Sequence, residues 1–184
     1  MNPSFPPPTY DIEDYHPRHY KDEDDGRPID FAYRLWGVID CDDQKRHRED
    51  AELLAPEIVV RDLCDFDSSI GNGFAVQLGY SGGLWTFAHG LRAVEAIGAA
   101  DHLRVMLKAK EVMASKGVNI PTDPDDLDAY PDEFDWDTEQ AIAEEVREID
   151  REYWRLQSDI YLILLNYLQA QREILLKRKP KQRT

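Results

Sequence analysis

The sequence predicts an all-α protein: a single domain of about six helices, ending in a long C-terminal helix or helix pair. Three observations carry this. Apolar residues recur three or four positions apart in each periodic segment. No strand survives, because Ile58-Val59-Val60 is β-branched but sits inside a helical period. The residues Ile142, Val146, Ile149, Tyr153, Leu156, Ile160, Ile163, Tyr167, Ala170 and Ile174 are separated by alternating steps of four and three. That is the spacing of a heptad seam, and it suits either the core face of the terminal helices or the contact of a homodimer.

The elements follow in order. Residues 1–29 read as an extended or disordered, acidic and proline-rich arm. Pro6-Pro7-Pro8 favours polyproline II, and Asp22-Glu23-Asp24-Asp25 is a like-charge run. Tyr10, Tyr15 and Tyr20 suit a strap docked on the body. The helical domain spans 30–176. Asp30 is the expected N-cap of a first helix that buries Phe31, Leu35 and Val38/Ile39. A second helix is expected from about Arg46 to Asp67, kinked or restarted at Pro56. The glycine-rich stretch 68–85 reads as helix, turn, short helix (Phe74, Leu78) and turn. Two regular helices follow, one over Leu84–Ile97 stopped by Gly98, the next capped by Asp101 and stopped by Gly117. Pro121, Pro124 and Pro131 keep 118–137 a loop. Asp137 or Thr138 is the expected cap of the long helix, and Ser158-Asp159 can restart it. Residues 177–184 form a frayed basic tail.

Charge is the dominant feature. The net charge is −15, and the stretch 122–152 alone holds fourteen acids against Arg147 and Arg151. Residues 172–184 carry six bases and one acid. An acidic body repels nucleic acid and anionic membrane and attracts basic partners. The acids therefore either keep the protein in solution or form a binding surface. The residues expected to meet a partner are Asp123, Asp125, Asp126, Asp128, Asp132, Glu133, Asp135, Asp137, Glu139, Glu144, Glu145 and Glu148. On a helix, Glu144/Glu148 and Glu145/Glu148 are like-charged neighbours, a destabilising arrangement that a basic partner would relieve.

Other chemistry finds no support in the spacing. The glycines lack both phosphate-loop patterns and lie among acids. Asp123, Asp125 and Asp126 open like a calcium loop, but the required glycine is missing and the twelfth position is Phe134. His16 and His19 lack further ligands, and His89 and His102 read as packing or capping residues. Ser68-Ser69 has no nucleophile elbow. Cys41 and Cys64 fit a reducing compartment without a disulfide, Cys64 being a core residue. No catalytic residue, no metal site, no cofactor and no direct nucleic-acid contact is expected. The first residues do not read as a secretory leader, and no 18-residue apolar run exists, so a cytoplasmic location is expected.

The central motifs carry a resemblance. Gly71-Asn72-Gly73-Phe74, Tyr80-Ser81-Gly82-Gly83, Ala93-Val94-Glu95-Ala96-Ile97-Gly98-Ala99 and Ile149-Asp150-Arg151-Glu152-Tyr153-Trp154 together resemble the signature of the acidic DNA-mimic protein nineteen family, over roughly residues 45–170. Gly71 stands where that family has asparagine, Asn72 where it has its first glycine, and Val76 where it has glutamine. The resemblance implies a small all-α bacterial protein, often dimeric. It also implies imitation of DNA charge to sequester a basic DNA-binding protein, either a transcription factor or a defence protein of bacterial or phage conflict. An immunity, anti-defence or scaffold protein that binds a specific partner without mimicry is the alternative.

Overall fold

The computed structural model of the chain describes residues 7–17, 27–40, 52–71, 73–74, 81–130, 135–156 and 159–178. The protein is all-α. Among the described residues there are seven α-helices and no strand: α1 (Pro28–Asp40), α2 (Ala55–Ile70), α3 (Ser81–Ala96), α4 (Ala100–Ser115), α5 (Trp136–Tyr153), α6 (Ile160–Ala170) and α7 (Arg172–Leu175), with short 3-10 turns at Ile12–Tyr15, Leu127–Ala129 and Leu176–Arg178. No helix among the described residues is long and apolar enough to cross a membrane. The chain forms two compact units, one made of 1–64 with 160–184 and the other of 65–159. Tyr20, Asp22–Asp25, His19, Cys41 and most of the expected short helix at Phe74–Leu78 lie outside the described residues.

Helix starts differ from the expected caps in an instructive way. Asp30 does not cap α1. Pro28 takes the first turn, where its missing N–H costs nothing, and the Asp30 carboxylate reaches back to the Arg27 N–H at 2.9 Å. The part of the expected second helix before residue 52 lies outside the described residues; the expected restart at Pro56 is seen as a helix that begins at Ala55, and Glu57 repeats the device by accepting the Leu54 N–H at 2.8 Å. This is the reciprocal half of a capping box. Asp101 lies in the first turn of α4, behind Ala99 as its N-cap. The cap of α5 is Asp135, which accepts the Thr138 N–H at 2.9 Å, not Asp137 or Thr138. Gly98 and Gly117, both left-handed, end α3 and α4 as expected.

In the first unit, α1 packs on α6 through Tyr33 and Tyr161, whose rings lie 6.1 Å apart. The strap is docked: Ile12 is 1% exposed, Tyr10 is buried and Tyr15 is half-buried. The Glu57 carboxylate, wholly buried, accepts from the Tyr10 hydroxyl at 2.8 Å, from Arg178 Nε at 2.9 Å and Nη2 at 2.8 Å, and from the Leu54 N–H. Arg178 also donates to the Glu52 carbonyl. It is therefore a fixed, half-buried cation and not a frayed basic residue. A buried carboxylate is tolerated when its lone pairs are filled in this way. Burial and the neighbouring Glu57 hold the Tyr10 hydroxyl well above the usual phenol range.

The second unit is built on an aromatic cluster. Phe66, Phe74, Phe87 and Tyr153 meet edge to face or tilted at centroid distances of 5.2–6.4 Å, a favoured geometry. Buried His102 sets its ring 5.4 Å from Tyr153; burial lowers the pKa of His102. Two glycines allow the approach. A Cβ on Gly90 of α3 would overlap the Phe66 ring. Gly73, with φ +93°, turns the chain beside Asp150, and a Cβ there would stand 2.8 Å from the Asp150 carboxylate. That carboxylate accepts the Phe74 N–H at 2.6 Å. Two motifs 76 residues apart in sequence thus close on each other.

The seam divides at the restart between α5 and α6. Ile142, Val146 and Tyr153 are buried in the second unit; Ile160 is buried in the first. Cys64 is a core residue, fully buried.

Removing the partner of a buried donor costs about 1–3 kcal/mol, and removing one member of a buried ion pair about 3–5 kcal/mol. Asp150→Ala is therefore expected to lower unfolding free energy by the first amount and Arg178→Gln by the second. Denaturant titration checks both; a change below about 0.5 kcal/mol in either variant would contradict the corresponding role.

Candidate protein-interaction surface

The twelve acids expected to form one surface fall into different environments. Asp132 and Glu133 lie outside the described residues. Asp135 is spent on capping α5 through the Thr138 N–H and hydroxyl. Asp123 accepts the Asp125 N–H at 3.0 Å, which shapes the loop. Asp125 pairs with two groups of α3, His89 Nε2 at 3.0 Å and Arg92 Nη1 at 2.6 Å.

Along α5 the acids sort by helical phase. Glu145 and Glu152, seven residues apart, face α4. Glu145 pairs with Lys116, and Glu152 takes Arg104 at 2.5 Å and Lys108 at 2.6 Å. These pairs also give the direction of packing, since the end of α5 meets the start of α4 and its middle meets the end of α4. Seven residues make nearly two turns, so Glu145 and Glu152 share a face. Tyr153, Val146 and Ile142 take the core face. The remaining phase belongs to Asp137, Glu144 and Glu148, of which Glu148 pairs with Arg151 one turn on.

Five of the twelve make neither an ion pair nor a side-chain hydrogen bond among the described residues, whereas Asp123 and Asp135 keep their charge but accept neutral donors. Among the described residues, Asp126 and Asp128 of the loop and Asp137, Glu139 and Glu144 of α5 have no ion-pair partner. Four of them are exposed and Glu139 is half-buried. Three large apolar side chains stand in the same acidic stretch or at its end: Leu127 at 69% exposure, Trp136 at 69% and Trp154 at 56%. Leu127 and Trp136 were not singled out from the sequence, where each reads as one more apolar residue, and Trp154 entered only as the last residue of a resemblance motif. The signal available was position, Leu127 between Asp126 and Asp128 and Trp136 between Asp135 and Asp137.

Protonation follows from these partners. Partial burial pushes the Asp125 carboxyl up, but the hydrogen bonds from His89 and Arg92, with their charge, outweigh it and leave the group below the usual carboxylate range. Hydrogen bonds from Lys108 and then Arg104 hold Glu152 below its ordinary value, and the Thr138 hydroxyl and N–H do the same for Asp135.

Beside the loop, Ala88, Leu91, Leu103, Leu107, Pro121 and Pro124 line an open cleft of about 270 Å³, with Arg92, Glu95 and Lys110 at its edges. Its mixed charges do not select a ligand. Among the described residues no group of three or more His, Cys, Asp or Glu side chains is arranged to hold a metal ion.

A carboxylate with a depressed folded-state pKa stabilises the fold above its unfolded pKa, and the contribution is lost as pH falls through the folded value. Urea midpoints of the wild type and of Glu152→Gln should accordingly differ at pH 7, begin to converge at about pH 4, near the ordinary glutamate pKa, and coincide only below the depressed folded value. A difference that persists at pH 2 would remove the Glu152 charge as its cause.

Comparison with known proteins gives one match. The family model described as DMP19-like protein covers residues 51–171. No curated protein and no solved structure matches the chain. The match spans the helices from α2 to α6 and includes the Gly73–Asp150 junction, the aromatic cluster and the α4–α5 ion pairs. The chain therefore belongs to the DMP19-like protein family.

Proposed function

We propose that this chain is a non-enzymatic acidic protein that presents DNA-like charge to a basic nucleic-acid-binding protein and thereby inhibits or sequesters it. The observation that carries the reading is the sorting of acids on α5 and its loop. Bases of the fold neutralise one row, and Asp126, Asp128, Asp137, Glu139 and Glu144 are left without a base among the described residues. At a rise of 1.5 Å per residue, Asp137 and Glu144 stand ~10 Å apart along a helix held to α4 by ion pairs. A rigid array of acids suits a groove shaped to hold phosphates, because Lys and Arg that bind DNA gain a salt-dependent electrostatic term from any matching anion array. Family membership supports the same reading.

One observation favours the runner-up. Exposed Leu127, Trp136 and Trp154 are the residue types that anchor a specific protein interface, tryptophan above all. An immunity, anti-defence or scaffold protein would use them with little dependence on charge. A homodimer would have to form on another surface than the 142–153 part of the seam, of which Ile142, Val146 and Tyr153 lie in the core.

The test is capture of partners on the immobilised chain, with elution by rising salt and challenge by duplex DNA. We expect a basic DNA-binding protein that DNA displaces, whose affinity falls at least ~10-fold between 50 and 200 mM salt. Joint reversal of Asp126, Asp128, Asp137 and Glu144 to lysine should abolish capture, with circular dichroism unchanged. A partner retained through high salt, indifferent to DNA and lost on Trp136→Ala, would overturn mimicry in favour of the runner-up.

A further inference from the structure

We propose that Asp125 does not meet the partner but latches the acidic loop: with His89 and Arg92 it fixes the orientation in which Asp126, Leu127 and Asp128 are presented. This positioning role rests on the function proposed above.

The geometry is two-pronged. One carboxylate oxygen of Asp125 sits 3.0 Å from His89 Nε2 and the other accepts from Arg92 Nη1 at 2.6 Å. His89 and Arg92 are three residues apart on α3 and so present neighbouring groups on one face. The His89 ring is 1% exposed and lies 4.0 Å, centroid to centroid, from Trp85. Its Nδ1 is 2.8 Å from the Trp85 carbonyl. Its two ring nitrogens thus bridge the backbone of α3 and the carboxylate of the loop.

The loop itself is braced and would turn as a piece. Asp123 accepts the Asp125 N–H, the Asp126 N–H donates to the Asp123 carbonyl at 3.3 Å, and the Tyr130 hydroxyl donates to the Pro124 carbonyl at 2.9 Å. Pro124 is buried, whereas Asp126, Leu127 and Asp128 are exposed. Among the described residues the Asp125 carboxylate makes the hydrogen bonds that join this loop to α3, and the orientation of its exposed tip depends on them. The charge of Asp125 is consumed in the process.

Charge and position make opposite forecasts for Arg92→Gln. The substitution removes a positive charge, so a surface acting by charge alone would bind a basic protein more tightly. A latch would instead loosen, and binding would weaken. The experiment is amide hydrogen exchange over residues 121–130 together with binding to protamine, a basic nucleic-acid-binding protein. For Arg92→Gln we expect exchange in that segment about tenfold faster, with weaker protamine binding and an unchanged exchange rate in α5. Arg92→Lys, which keeps a donor, should restore part of both. Unchanged exchange in Arg92→Gln, or faster exchange with equal or tighter binding, overturns the latch. Should the wild-type chain show no salt-dependent binding to protamine, the function proposed above fails, and exchange alone then upholds or overturns the latch.

Discussion

The second unit depends on one meeting of groups, the Asp150 carboxylate with the Gly73–Phe74 turn. A carboxylate on α5 is drawn inward to a backbone N–H that would otherwise be left without an acceptor, and only a glycine leaves room for it. This contact, with Tyr153 in the aromatic cluster, sets the rotation of α5 about its own axis. Rotation then decides every other side chain of that helix. With Asp150 and Tyr153 turned inward, Glu145 and Glu152 must face α4, and Asp137 and Glu144 must face water. The resemblance motifs are therefore parts of the fold's interior, and they act on the surface by fixing which acids reach it.

The charge is accordingly not a uniform coat. A net −15 is the residue of many local balances, some closed within the protein. Lys116, Lys108 and Arg104 answer α5, Arg92 and His89 answer the loop, and Arg178 answers Glu57. The exposed pairs among these add little stability individually, unlike the pair on buried Glu57. Their effect is to hold α5 and the loop in place, so the unpaired acids occupy fixed positions. Rigid charge is worth more to an electrostatic partner than the same charge on a flexible tail, because less order remains to be imposed on binding.

The all-α fold and most helix ends were legible in the sequence because they are local properties. Apolar spacing and the two left-handed glycines need only their neighbours. Helix starts were read two or three residues away from their places: Pro28 and Pro56 take the first turns of α1 and α2, where a missing N–H costs nothing, and at α5 Asp135 takes the cap ahead of the nearby Asp137. The acidic surface was legible as a count and not as a pattern. Glu145 and Glu144 are adjacent and alike in sequence, yet one is paired and the other free, because their partners lie far along the chain. The i, i+4 placement of Arg104 and Lys108 and the seven-residue step from Glu145 to Glu152 were visible as spacings. Their matching was not, since it requires knowing that α4 and α5 run antiparallel. Leu127 and Trp136 were hidden for the converse reason: exposure is a property of what fails to pack on a residue.

The Glu57 junction has a consequence in the order of synthesis. Its arginine partner follows 121 residues later in the chain, so at a translation rate of about 5–20 residues per second the carboxylate waits roughly 6–24 s for its cation. The Tyr10 hydroxyl is available from the outset, and the second unit is a continuous stretch that emerges in the interval. The stretch that carries the acidic loop and α5 is thus synthesised before Arg178, and the arrival of Arg178 completes the Glu57 junction of the first unit.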